Sequence, residues 1–116
     1  MTKNGPTPHC YEFDDFRLDS HKRLLLRAGE PGRLKAKAFA LLLVLIERRE
    51  RVLEKDELRQ TVWPATTVEE NNLTVHISAL RKALGERAGV PNYIVTIPGQ
   101  GYRFTAEVTK RLRAAN

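Results

Sequence analysis

Apolar residues recur at helical spacing in three segments of the chain. In the first segment, residues 35–51, Leu42, Leu43 and Ile46 follow Phe39 at offsets of three, four and seven positions, which is the spacing of one face of an α-helix. The charged run ERRER follows them and is typical of a solvated helix end. We therefore predict a first helix here. An alternative role for the arginines of the run is contact with a subunit or with another partner.

A shorter second helix is predicted for EKDELRQTVW, residues 54–63. Leu58, Val62 and Trp63 repeat the apolar spacing. Pro64 follows directly, and a proline disfavours helical backbone in the residue before it. The second helix should therefore end at about Trp63.

A third helix is expected to begin near Val68, after two overlapping capping boxes in PATTVEE, and to end at Gly85. At about 100° per residue, its apolar residues form one stripe, which consists of Leu73, Ile77, Leu80 and Leu84. The opposite face is short and sparsely charged, and it carries Asn71, Asn72, Val75, Ser78, Ala79 and Lys82. Thr74 and Arg81 flank the stripe on one edge, and His76 lies on the other.

Alternating apolar residues before and after the helices predict antiparallel β-structure. YEFDDFRLD, residues 11–19, alternates Tyr11 with Phe13 and Phe16 with Leu18. RLLLRAGEPGRL, residues 23–34, predicts a hairpin that turns at residues 29–32, and NYIVTIPGQGYRFTAEV, residues 92–108, predicts another with its tip at residues 98–101. The order of elements predicts one α+β domain.

The flanking segments differ from the domain in composition. Residues 1–10 contain Gly5, Pro6 and Pro8 with almost no apolar side chains, which predicts a flexible tail. Residues 109–116 are basic and predict a tail or the start of a linker. We therefore place the domain at residues 11–108, and a chain of 116 residues is long enough for one core without disulfides or a structural metal.

Charge and cysteine content narrow the classes of partner and compartment. A formal net charge of +6 and a pI near 9.8 favour nucleic acid or an anionic membrane surface. Cys10 is the only cysteine, so one chain forms no disulfide, which fits a reducing, cytosolic setting. The longest apolar run, AFALLLVLI, is far shorter than the roughly 20 residues of a spanning helix, and the first ten residues lack the apolar core of a secretion signal. We expect an intracellular protein.

The outer face of the third helix fits a DNA major groove. Short side chains allow close approach, the amides of Asn71 and Asn72 can pair with adenine, and Val75 can contact a thymine methyl group. The alternative is a tolerant solvent face on which the two asparagines are only capping residues. Two helices with a short connection, followed by a hairpin, favour DNA, because that order is a helix-turn-helix with a wing.

The segments ELRQTVW, LTVHISALRKAL and YIVTIPGQGYRF, in this order, make the chain resemble the C-terminal DNA-binding domain of the OmpR/PhoB family of bacterial transcription regulators. The resemblance covers about residues 11–108. It implies a winged helix-turn-helix with an N-terminal four-stranded antiparallel sheet, three helices and a C-terminal β-hairpin wing. It also implies sequence-specific binding of double-stranded DNA, with the third helix in the major groove, the wing in the minor groove and two copies in tandem on direct repeats.

The resemblance further assigns contact residues by position. Base readout falls on Asn71, Thr74, Val75, Ser78 and Ala79. Phosphate contacts fall on Trp63, Asn72, His76, Arg81, Lys82, Thr96 and Tyr102, with Asn71 and Ser78 as further candidates. The wing comprises Gly99, Gln100, Gly101 and Arg103. An alternative role for Trp63 is packing in the core. An alternative role for Gly99 and Gly101 is formation of the turn.

The sequence departs from the family pattern at several positions. Asn71, Ser78 and Ala79 stand where relatives often carry arginine, and Pro98 replaces a common wing arginine, so we expect weaker DNA binding by one isolated domain. Gln100 and Arg103 are candidates to replace the wing contact. RNA polymerase is a candidate partner of the segment from Pro64 to Glu69.

About ten residues precede the predicted sheet, too few for a phosphorylatable receiver domain. The arrangement more closely resembles CadC- or ToxR-like regulators, in which the winged domain comes first. We expect the domain to be cytoplasmic and nucleoid-associated, and any sensory or membrane-anchored part to lie outside this chain.

Other functions fit parts of the sequence. A winged-helix protein interaction module would bind a protein tightly and show negligible DNA affinity. A non-specific nucleic-acid binder would show strong salt dependence without sequence discrimination. Enzyme activity is the least expected, because we find no phosphate-binding loop, no paired carboxylates and no metal-ligand spacing, and neither His76 nor the adjacent pair His9 and Cys10 has a catalytic partner. No cofactor is expected.

Overall fold

The computed structural model describes residues 9–32, 34–64, 70–85 and 93–112. Four strands come first: β1 His9–Phe13, β2 Phe16–Asp19, β3 Leu24–Arg27 and β4 Glu30–Pro31. The helical part follows, with α1 Ala36–Glu47, β5 Leu53–Glu54, α2 Lys55–Val62 and α3 Glu70–Ala83. The last strands are β6 Ile94–Ile97, β7 Gly101–Phe104 and β8 Thr109–Leu112. One compact unit holds the residues up to Gly32 and those from Glu107 onward, and a second unit holds Arg33–Ala106.

The first unit is built on a five-stranded antiparallel sheet in the order β4-β3-β2-β1-β8. The predicted alternation is confirmed, because its apolar members are all buried: Tyr11, Phe13, Phe16 and Leu18, together with Leu25. A two-residue turn at Asp14 and Asp15 joins β1 to β2 and sets Phe13 opposite Phe16, with ring centroids 5.2 Å apart. Asp14 has φ of 50°, a conformation that aspartate tolerates better than most residues.

The fifth strand corrects two predictions. Residues 109–112, expected in a tail or linker, form β8, which pairs with β1 so that Tyr11 opposes Lys110. His9 and Cys10, expected in the flexible tail, begin β1. An exposed edge strand needs only backbone hydrogen bonds on one side and no apolar alternation, so the sequence pattern did not reveal it. The other residues of both predicted tails, 1–8 and 113–116, lie outside the described part of the chain.

The predicted turn at residues 29–32 also lies elsewhere. β3 and β4 are joined by Ala28 and Gly29, so Arg27 opposes Glu30. Both turn residues have positive φ, 51° and 84°, as a type I′ two-residue hairpin requires. Pro31 is therefore part of edge strand β4, where a missing N–H is tolerated.

Helix α1 is the centre of the second unit. It contacts α2, α3 and β7, so its buried residues surround much of the helix: Ala38, Phe39, Leu41, Leu42, Val44, Leu45 and Ile46. The predicted single apolar face was too narrow, and Leu43, placed on it, is only half-buried. A helix packed on several sides is apolar on several sides.

The C-terminal hairpin is confirmed and has an additional strand. β6 and β7 pair as predicted, but β5 lies on the other side of β7, with Leu53 opposite Tyr102 and Glu54 opposite Gly101. The sequence pattern did not predict β5, because two residues are too few to show alternation. Helix α2 ends at Val62 before Trp63, close to the predicted end. The capping boxes predicted for Thr66 and Thr67 lie outside the described residues.

The charged run after α1 forms ion pairs with α2. Glu57 accepts a hydrogen bond from Arg51 Nη2 at 2.6 Å and one from Arg48 Nη1 at 2.7 Å. Arg49 Nη1 donates to the carbonyl oxygen of Ile46 at 2.9 Å, near the end of α1. The three arginines of this run therefore make contacts within the fold, although all three remain at least partly exposed.

These ion pairs predict an acid-sensitive contribution to stability. The hydrogen bonds from Arg51 and then Arg48 lower the pKa of Glu57 from 4.5 to about 2. The stabilisation is fully present above pH 4.5 and is lost as the pH falls towards 2, since only the unfolded chain takes up the proton in that window. Because the pairs are solvent-exposed, we expect about 1 kcal/mol in the free energy of unfolding.

Urea titrations at several pH values between 2 and 6 test this contribution. The difference in free energy of unfolding between the wild type and Glu57→Gln should shrink as the pH falls through that window. Gln60→Ala, at an exposed position in α2 without an ionisable group, is the control and should show no such trend. Parallel curves for the wild type and Glu57→Gln would contradict the assignment.

Candidate nucleic-acid interface

Helix α3 has one fully buried side, as predicted. Leu73, Ile77, Leu80 and Leu84 are each at most 2% exposed. This stripe packs α3 against α1 and α2. The orientation of the helix is therefore fixed by its core contacts, and the residues on its other side are presented outward.

The outward side of α3 is exposed and lacks acidic groups over residues 72–83. Its exposed residues include Asn72, Thr74, Val75, Ser78, Ala79 and Lys82. Val75 is 63% exposed and is the one exposed large hydrophobic side chain in the described part of the chain. Asn71 lies in α3, but its side chain is outside the described residues. Residues 72–83 contain no aspartate or glutamate, so the described side chains of this face place no negative charge where a polyanion would approach.

Arg81 joins α3 to the C-terminal hairpin. Its Nε and Nη2 donate to the carbonyl oxygen of Ile94 at 3.2 and 2.9 Å, and Nη2 also donates to the Thr96 hydroxyl at 2.8 Å. The family resemblance assigned Arg81 and Thr96 to separate phosphate contacts. The structure brings them together, and Arg81 holds strand β6 beside α3.

Arg81→Lys tests this link. Lysine keeps the charge but has a single nitrogen, so it cannot reproduce the forked contact with β6. We expect the free energy of unfolding to fall by about 1 kcal/mol and DNA affinity to fall about fivefold, the factor for one such hydrogen-bonded contact. Urea unfolding and a DNA titration measure the two effects. Lys82→Arg, the charge-conserving control at the next position, should change the free energy of unfolding by less than about 0.5 kcal/mol and DNA affinity by less than about twofold.

Trp63 and His76 meet at the other edge of α3. Their rings are in an edge-to-face arrangement with centroids 5.1 Å apart, and both side chains are half-buried. His76 Nδ1 lies 2.9 Å from the carbonyl oxygen of Asn72, one helical turn earlier. Because of this ring contact, Trp63 combines packing with a position at the edge of the candidate interface. Just before Trp63, Lys37 Nζ donates to the carbonyl oxygen of Val62 at 2.9 Å and links α1 to the end of α2.

The wing tip is a tight turn. The N–H of Gln100 donates to the carbonyl oxygen of Ile97 at 2.9 Å, and Gly99 has φ of +75°. With Pro98 before Gly99, these features define a type II turn, which favours glycine at that position. Pro98, Gly99 and Gln100 are all exposed, so the tip is accessible to a partner.

Three other predicted contact residues are engaged within the fold. Gly101 is buried next to β5, where a Cβ atom would lie 1.9 Å from the carbonyl oxygen of Leu53. Tyr102 is 5% exposed, so most of its side chain packs within the fold. Arg103 donates to the carbonyl oxygens of Arg49 and Glu50 at 3.3 and 3.5 Å, so it fastens β7 to the segment after α1. Gly101 therefore lies in close contact with the backbone of Leu53.

The contacts that position the interface were not predicted from the sequence. Arg81 and Thr96 lie 15 residues apart, and Arg103 and Arg49 lie 54 apart. No periodic pattern connects such residues. The sequence identified Arg81 and Arg103 only as hydrogen-bond donors, and both were assigned to DNA contacts.

Neither a metal cluster nor a membrane span is found in the described residues. No group of three or more His, Cys, Asp or Glu side chains among them could hold a metal ion. None of the described helices is both long and apolar enough to cross a membrane.

Comparison with known proteins agrees with this architecture. The chain is 38% identical over 98 residues to the transcriptional regulator HilA of Salmonella typhi, an alignment that covers 84% of this chain and 17% of HilA. It superposes on the DNA-binding domain of Escherichia coli CadC with a TM-score of 0.78 and 27% identity, over 90% of this chain and 98% of that domain. It also superposes on the Klebsiella pneumoniae RstA DNA-binding domain, solved in complex with the RstA box, with a TM-score of 0.71 and 27% identity, over 82% and 95% of the two chains.

The family model described as "Transcriptional regulatory protein, C terminal" matches residues 29–104. This range contains all three helices and the β6–β7 hairpin. The elements that form the candidate interface are therefore those that the family shares. The chain belongs to this family of transcriptional regulatory proteins and carries its OmpR/PhoB-type winged helix-turn-helix DNA-binding domain.

Proposed function

We propose that the domain recognises a specific sequence in double-stranded DNA, with α3 in the major groove and the β6–β7 wing at the adjacent minor groove. The observation that carries this proposal is the exposed, acid-free face of α3 opposite a fully buried stripe. A helix of this kind fits the width of the major groove, where each base pair has a distinct pattern of donors, acceptors and methyl groups. The RstA domain, which shares the fold, was solved with its DNA box.

The proposed contacts divide by chemistry. Thr74, Val75, Ser78 and Ala79 read base edges, and Asn71 belongs to this group by position. Asn72, His76, Lys82 and Thr96 contact phosphates, with Trp63 at the same edge as His76. Phosphate contacts set affinity and orientation, whereas base contacts set specificity. Arg81 acts mainly by holding Thr96 and the wing.

The site of action in the cell, the number of copies bound and the protein partner are proposed from the family resemblance. The chain spans 17% of the length of HilA. We propose cytoplasmic, nucleoid-associated action at promoters and tandem binding of two copies to direct repeats. The segment from Pro64 to Glu69 is the proposed contact with RNA polymerase; residues 65–69 of it lie outside the described residues.

Selection from a random duplex pool at near-physiological salt tests the proposal. We expect the purified chain to enrich a defined motif, with two direct repeats about one helical turn apart if binding is tandem. Salt-sensitive binding without enrichment would instead indicate a non-specific nucleic-acid binder. Absence of DNA binding together with tight binding to a protein would favour a protein interaction module.

A further inference from the structure

We infer that α3 reads thymine methyl groups, with Val75 as the main specificity-determining residue, and that the target site is therefore rich in A·T pairs at the positions facing α3. This inference rests on the proposed DNA binding and specifies the class of DNA sequence that the same surface accepts. It follows from which side chains the structure exposes on α3 and which it engages elsewhere.

The first observation is the position of Val75. Its side chain is 63% exposed, and its neighbours on the outward face, Thr74, Ser78 and Ala79, are exposed as well. It lies in the N-terminal half of α3, the part of a recognition helix that reaches base edges. The thymine C5-methyl group is the apolar feature of the major groove, so an apolar side chain here has one matching partner.

The second observation is that guanine has no matching reader on the described face. Guanine is read most often by an arginine or lysine that donates to both O6 and N7. Residues 72–83 contain two cations, Arg81 and Lys82. Arg81 donates to β6, and Lys82 lies in the last turn of α3, away from the N-terminal part of a recognition helix that reaches base edges.

Cytosine also lacks a matching group among residues 72–83 of α3. Its N4 amino group is read by a carboxylate, and residues 72–83 contain none. The face that remains offers methyl groups, hydroxyls and the amide of Asn72, which can pair with adenine. The methyl groups and hydroxyls favour thymine and discriminate weakly against the other bases by hydrogen bonding, so the methyl contacts supply most of the preference.

Replacing thymine by uracil tests this inference directly, because uracil pairs in the same way and lacks only the methyl group. We would select sites for the 116-residue chain from a random duplex pool and then measure affinity for the selected site with single thymines replaced by uracil. Each contacted methyl should contribute about fourfold in affinity, the factor for roughly 0.8 kcal/mol per buried methyl or methylene group.

A thermodynamic cycle assigns the contact to Val75. Val75→Ala should lower affinity for thymine DNA and reduce the uracil penalty to less than about twofold, because the partner of the methyl group is gone. Lys82→Ala is the matched control at another exposed position of α3. It should weaken binding to both DNAs equally and keep the fourfold ratio, since a phosphate contact does not sense the base.

The outcomes separate the two levels of the proposal. Specific binding with G·C pairs at the positions facing α3, or unchanged affinity on uracil DNA, would overturn thymine reading and leave DNA recognition intact. Loss of the uracil penalty in Lys82→Ala but not in Val75→Ala would overturn the assignment to Val75. Absence of salt-sensitive binding to any duplex would overturn the proposed function itself.

Discussion

Gly101→Ala is expected to lower the free energy of unfolding by about 3 kcal/mol, near the upper end for overpacked substitutions. A Cβ atom at this position would lie 1.9 Å from the carbonyl oxygen of Leu53 and 2.8 Å from its carbon. Both atoms belong to backbone that pairs with β7. They cannot move aside as a flexible side chain would, so β5 must separate from β7 to accommodate the methyl group.

Gly99→Ala provides the matched control two residues earlier. Gly99 has φ of +75°, and no atom lies within 4 Å of the place that a Cβ atom would take there, so alanine meets only backbone strain of about 1 kcal/mol. Urea unfolding of both variants measures the difference. Equal losses would show that β5 adapts and that the close approach to Leu53 does not require glycine. A larger loss for Gly101→Ala would confirm its structural role independently of DNA.

Val75→Glu is expected to lower affinity for the selected DNA site at least about 100-fold, or about 3 kcal/mol, within the range for an unpaired charge at an interface. The carboxylate would enter a groove lined by phosphates and base acceptors without a cation to pair with it. Because Val75 is 63% exposed, the free energy of unfolding should change by less than about 0.5 kcal/mol. Fluorescence anisotropy with labelled duplex and urea unfolding measure the two quantities.

Gln60→Glu is the charge-matched control for this substitution. Gln60 is exposed on α2, and the change adds the same single negative charge outside the recognition helix. It should weaken binding only through long-range electrostatics, by about threefold or less at physiological salt. Similar losses for the two variants would mean that net charge, and not contact with the groove, determines the effect of Val75→Glu.

Local patterns predicted the parts of the fold that depend on one element. The stripe of α3 and the alternation in β1 and β2 each arise from side chains a few residues apart, and the burial of Leu73, Ile77 and Phe13 confirms them. The winged order of elements followed from the same patterns. Such elements are predictable because helix and strand periods fix which side chains share a face.

The parts that escaped prediction depend on contacts between distant residues. β5 is too short to carry a pattern, and β8 is an edge strand with exposed residues. In the candidate interface, the family resemblance assigned Arg81 to a phosphate, and Arg103 was a candidate for the wing contact, but both donate to backbone carbonyls of other elements. The sequence does not show whether an arginine donates to a phosphate or to a backbone carbonyl, so only the tertiary structure distinguishes the two roles.

The pairing of β8 with β1 has a consequence for the order of folding during synthesis. Glu12 and Arg111 are joined across these strands at 2.9 Å although 99 residues separate them. Strands β1 to β4 can pair while the chain is still emerging from the ribosome, because their partners are neighbours in sequence. β8 can join only after all three helices have been made, and closing so long a loop is entropically costly. A nascent chain therefore carries β1 as an open sheet edge until its last strand arrives.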